Sequence, residues 1–178
     1  MAPVDQAAEA VACADTVVRR GIATLAGAEG GADRHQVLAY DVAHAAAAAA
    51  TAHAALAYGE RGELEARIAC AFVADVVADL AARLVGRDRL WGADPSELSP
   101  AAAFVTRHRD PQTLADLCGN EGPRHLADEF ELARETFHRF AENEIRPHAE
   151  HVHRNNSDIP ESIIGGLAEL GGFGMSVP

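Results

Sequence analysis

No lysine occurs anywhere in these 178 residues, and all fifteen basic side chains are arginine. A Walker phosphate-binding loop and Schiff-base chemistry both need a lysine, so both are excluded. Nucleic acid and anionic membranes call for a basic surface, and a net charge of −12 argues against either as a partner. Aromatic residues make up only 5% of the chain, and runs of β-branched residues are missing, which leaves little material for strands. No uninterrupted apolar span is long enough to cross a bilayer, since the alanine tract from Ala45 to Ala50 is bracketed by His44 and His53. No segment has the basic start and apolar centre of a signal peptide, so cytoplasmic residence is the expectation. Cys13, Cys70 and Cys118 are odd in number and far apart. In apolar helical settings they are expected to be reduced, buried thiols.

What is abundant is alanine, within an apolar fraction of 48% that suffices for a core. The composition points to an all-α fold, a bundle of about five to seven closely packed helices. A first helix is expected from Asp5 to about Leu25, with Val11, Val17, Val18, Ile22 and Leu25 as its heavier apolar positions. Glycines at 27, 30 and 31 then make a turn. Asp33 is placed to cap a second helix running to Tyr58, whose nearly all-alanine middle suits a central position. A third, from Gly62 to Val85, carries Leu64, Ile68, Phe72, Val76, Leu80 and Leu84, thickened by Val73 and Val77. The short turn between Gly59 and Gly62 makes these two an antiparallel pair. Gly, Pro, Ser and Asp residues from Gly86 to Pro100 read as a linker, which divides the chain into an N-terminal helical region, 1–92, and a second domain, 93–178. Short helices are expected from Pro100 to His108 and from Pro111 to Cys118, before the turn Gly119-Asn120-Glu121-Gly122.

The stretch from Pro123 to Pro178 has the most specific pattern. Leu126, Phe130, Ala133, Phe137, Phe140, Ala141 and Ile145 recur at three and four residues, one apolar stripe on a helix started by Pro123. Glu135→Arg139 and Glu142→Arg146 stand in the favourable i,i+4 order on the opposite face. Pro147 is expected to end or kink this helix. Asp158 is then read as the cap of a further helix with Pro160 in its first turn, Glu161 three residues on, and an apolar side of Ile163, Ile164, Leu167 and Leu170. Gly171 and Gly172 stop it.

At these residues the chain resembles the N-terminal helical domain of the acyl-CoA dehydrogenase family. The resemblance rests on Phe140-Ala141-Glu142-Asn143-Glu144-Ile145-Arg146-Pro147, then Ile159-Pro160-Glu161, then Leu170-Gly171-Gly172-Phe173-Gly174-Met175-Ser176-Val177-Pro178. The chain departs from the family pattern at Gly172, where an apolar residue is usual, and at His153, where an acidic one is common. A fainter likeness links Glu65-Ala66-Arg67-Ile68-Ala69-Cys70-Ala71-Phe72 to helices of the family's C-terminal domain. The resemblance implies FAD as cofactor, an acyl-CoA thioester as substrate, α,β-dehydrogenation to the enoyl-CoA, an electron-transfer flavoprotein as electron acceptor, and a homo-oligomer. In the family the catalytic glutamate and most flavin contacts belong to domains that this sequence does not contain. An inactive N-terminal fragment is therefore the first expectation, and a free-standing helical interaction module derived from that domain the alternative.

No catalytic, cofactor-binding or metal-binding residue is assigned. His148, His151 and His153 beside Glu150 and Asp158 have the side chains of a zinc or iron site, yet their polar surroundings at a helix break fit a solvated exit better. Glu135-x-x-His138 and Glu150-x-x-His153 match the di-iron Glu-x-x-His pattern. On one helix, however, they lie roughly 22 Å apart, where facing helices are required. Asp41 and His44 are expected to form a local hydrogen-bonded pair. Gly171-Gly172-Phe173-Gly174 lacks the strand and helix of a dinucleotide fingerprint and reads as a helix stop. The glycosylation sequon Asn155-Asn156-Ser157 carries no weight without a secretion signal.

Overall fold

The computed structural model describes residues 3–120 and 122–174, and every regular element among them is helical, as the composition requires. The chain packs as two compact units, Met1–Gly122 and Pro123–Pro178.

The first unit is built on three long helices, α1 (Pro3–Gly27), α3 (Gln36–Gly59) and α4 (Glu63–Leu84), each packed against the other two. Between α1 and α3 lies the single turn α2 (Gly31–Arg34). Asp33 falls inside that turn and caps nothing, because His35, at φ −118°, separates it from α3. The core is a lattice of small residues at helical spacing: Ala7, Val11, Ala14 and Val18 of α1, Leu38, Val42, Ala45, Ala49 and Ala52 of α3, and Cys70, Val73, Val77, Leu80 and Leu84 of α4. Helix α3 is not the central element expected of it, since its other side leaves Val37 and Tyr40 exposed. On α4 the buried face runs through Ala69, Cys70, Val73 and Ala74, which turns Ile68 and Phe72 outward.

The segment read as a linker is part of this core. Helix α5 (Asp88–Trp91) delivers Trp91, which is fully buried. Gly21 makes room for it, for a β-carbon there would come within 2.7 Å of the indole ring. A 3-10 helix follows at Pro95–Ala101, then α6 (Ala102–His108) and α7 (Pro111–Ala115). Asp94 and Glu97 form a complete capping box, in which Asp94 Oδ1 accepts from the Ser96 amide and Glu97 Oε1 accepts from the Asp94 amide. Leu98, Ala101 and Phe104 then bury themselves in the same core. The boundary expected near residue 92 thus lies between Gly122 and Pro123. The Pro, Ser and Asp residues that suggested a linker are cap and turn chemistry. Helix α7 ends at Ala115, which leaves Cys118 exposed, while Cys13 is half-buried; only Cys70 is the buried thiol expected.

In the second unit, the residues from 123 to 127 are not helical, and His125 sits at φ 55°. Helix α8 (Asp128–Phe140) therefore starts five residues after Pro123, with Asp128, Glu129 and Glu131 placed favourably in its first turn. Leu126 drops out of the stripe, and Phe130 is exposed. Pro147 does not end the helix. A π-helical turn, Ala141–Ile145, leads directly into α9 (Arg146–Asn155), with the Arg146 amide donating to the Ala141 carbonyl five residues back. Widening the turn before the proline relieves the clash that its ring makes with the preceding turn of a regular helix. Asn156, at φ 48°, closes α9. Helix α10 (Glu161–Glu169) begins after Pro160 with no side-chain cap, so Asp158 does not perform the capping expected of it. Gly171, at φ 73°, stops α10 in the left-handed region, and a 3-10 turn, Gly172–Gly174, follows. Met175 to Pro178 lie outside the described residues.

Candidate functional site: an apolar groove in the second unit

Three segments of the second unit enclose a groove of about 570 Å³. Helix α9 and the residue before it supply Ile145, His148, Ala149 and Val152, and the approach to α10 supplies Ile159 and Pro160. Helix α10 adds Ile163, Ile164 and Leu167, and the closing turn adds Phe173. The volume lies within the range of small-molecule sites, and the lining is almost wholly hydrocarbon, with His148 the sole titratable side chain on it. Ile163 is buried, whereas Ile159 and Phe173 at the rim remain largely exposed. The arrangement can shelter an aliphatic chain or a methyl-rich surface. It offers no nucleophile, no carboxylate and no cluster of donors.

None of the charged side chains from α8 through α9 lines the groove, and several pair with one another: Glu131 accepts from Arg134 at 2.7 Å, Glu142 from Arg146 at 2.5 Å and Glu150 from Arg154 at 2.8 Å. The bond from Glu142 raises the Arg146 guanidinium above its ordinary value. The expected Glu135–Arg139 pair does not form among the described residues.

The histidine group is dispersed rather than gathered. His148 lines the groove, Asn155 donates to the His151 ring and carbonyl, and Glu150 is taken by Arg154. No group of three or more His, Cys, Asp or Glu that could hold a metal occurs among the described residues, Glu135, His138, His153 and Asp158 included. The Asp41–His44 pair also gives way. Asp41, nearly buried, accepts from Arg87 at 2.6 Å and Arg83 at 3.4 Å, and His44 instead lies against the Tyr40 ring at 4.2 Å. The groove itself escaped the sequence reading. Its signal was present in Ile145, His148, Ala149 and Val152, a three-to-four spacing hidden among the polar residues that suggested a solvated helix exit.

The described residues thus form an all-helical chain with a groove lined by hydrocarbon. More specifically, residues 127–178 match the family model described as acyl-CoA dehydrogenase, N-terminal domain, which bears out the resemblance at the motifs that carried it. Over 57 residues the chain is 40% identical to (2S)-methylsuccinyl-CoA dehydrogenase of Cereibacter sphaeroides, a match spanning 32% of this chain and 10% of that protein. No solved structure gives a significant match. No helix among the described residues is long and apolar enough to cross a membrane.

Proposed function

We propose that this chain is the N-terminal part of an FAD-dependent acyl-CoA dehydrogenase and that its groove forms part of the apolar wall on the acyl side of that enzyme's site. The observation that carries this reading is the coincidence of the two: every groove-lining residue, Ile145 to Phe173, falls within the matched segment. The complete protein would take an acyl-CoA thioester, remove hydrogen across its α and β carbons, pass electrons to an electron-transfer flavoprotein, work in the cytoplasm and assemble as a homo-oligomer. The lining does not fit a flavin, for an isoalloxazine edge and a diphosphate need several polar partners and the groove has only His148 to offer. No chemical step is therefore derived from this chain, and no catalytic residue is assigned in it. Its share is to bind and to exclude water from an aliphatic group.

The test is anaerobic titration of the polypeptide purified from its native source with a series of acyl-CoA thioesters, straight-chain and methylsuccinyl-CoA alike. Bleaching of a bound flavin by at least one is expected; a flavin that none of them reduces overturns the reading.

One observation favours a second reading, a non-catalytic interaction module: the first unit has its own core and lies outside the matched segment. That reading calls for the 178 residues alone to form a stable complex, checked by analytical ultracentrifugation.

A further inference from the structure

We propose that the π-helical turn Ala141–Ile145 is a register device: it absorbs one residue and thereby brings two otherwise misaligned apolar stripes onto the single face that meets α10 and the turn closing it. Upstream of the turn, that face is fixed by two contacts. The Phe140 ring lies where a β-carbon on Gly166 would approach to 2.5 Å, and Phe137 lies 3.5 Å from the same position on Gly172. Downstream it is fixed by Ile145, Ala149 and Val152, which share the groove with Ile159, Ile163 and Leu167. Phe140 and Ile145 are five residues apart, and on a regular helix that step separates them by about 140°. They would then face different neighbours. In the π-turn, hydrogen bonds reach from residue i to i+5, as Arg146 to Ala141 does here, so five residues complete about one turn and Ile145 comes round beneath Phe140. Pro147 makes the wide turn cheap, because it has no amide to contribute to a regular turn and its ring crowds the carbonyl four residues before it.

This concerns how the groove is built, and it stands whether or not the groove receives an acyl chain. A deletion distinguishes such a turn from regular helix. Removing one residue from the middle of a helix ordinarily rotates everything beyond it by about 100°. Here, deletion of Asn143 combined with Pro147→Ala should convert the π-turn to regular helix and leave both stripes in place, whereas insertion of one alanine after Asn143 should turn α9 away. The experiment is NMR on the full 178-residue chain, reading the ring-current shift of the Gly166 α-protons beside Phe140 and the methyl contacts between Ile145 and Ile163. The deletion variant is expected to keep both signals, and the insertion variant to lose one. A deletion variant that folds and loses either signal, or that unfolds while the insertion variant retains both, would overturn the proposal. So would an insertion variant that keeps both signals.

Discussion

Trp91 shows how much one side chain decides in an alanine-rich bundle. Its indole occupies space that only a glycine at position 21 leaves open, with Val42 closing the other side of the same gap. Gly21→Ala should cost about 1–3 kcal/mol of stability through overpacking, although alanine is the better helix former. Trp91 is the sole tryptophan, so urea unfolding followed by its fluorescence measures the loss directly. Asp41 is the second such residue, a nearly buried carboxylate serving two arginines. Asp41→Ala should cost about 1–3 kcal/mol by leaving Arg83 and Arg87 without it, and the same fluorescence reads it. His108 contributes a pH dependence near neutrality. Its Nε2 is buried without a partner, and burial first, then the charge of Arg107, lowers its pKa from the ordinary 6.5. The unfolded chain therefore takes up a proton more readily than the folded one. The stability this group contributes is complete above 6.5 and is lost as pH falls through that value toward the folded one. The urea midpoint should drop between pH 8 and pH 5, and His108→Gln should remove that part of the drop.

Among the elements, two neighbouring glycines of α10 should respond in opposite directions. A β-carbon on Gly165 meets nothing within 4 Å, and one on Gly166 meets the Phe140 ring at 2.5 Å. Gly165→Ala should stabilise the second unit by about 0.4–1 kcal/mol, while Gly166→Ala should destabilise it as the ring is displaced. Paired thermal melts followed by helical circular dichroism would check the contrast. Helix existence was legible in the sequence because apolar spacing and propensity agree over long stretches, as in α1 and α4. Helix ends were not. Pro123 and Asp158 have the chemistry of a helix start, yet α8 begins at Asp128 and α10 at Glu161. Pro147 is expected to end or kink the helix, and composition cannot reveal that an adjacent turn has widened to let the helix continue. The stripe on α4 was misjudged at Ile68 and Phe72 because alanine and cysteine compete for the interior when helices approach closely, and size alone does not rank them.

For the whole molecule, the position of the boundary between the units was not legible. Sequence punctuation from Gly86 to Pro100 marks caps and turns that pack into the first core, and the real boundary at Pro123 has less Pro, Gly and Ser around it. The groove was not legible. The family motifs located its segment, but the lining includes Val152 and Phe173, whose roles depend on how α9, α10 and the closing turn fold over one another. Among the described residues, the core cluster of the first unit runs from Ala7 to Val105. If the matched segment belongs to a larger flavin enzyme, the intact mass of the polypeptide in its native cell and the absorption spectrum of the same sample will show it. A mass far above 18.7 kDa together with a flavin spectrum is the expected result. A polypeptide of 18.7 kDa without flavin would contradict it.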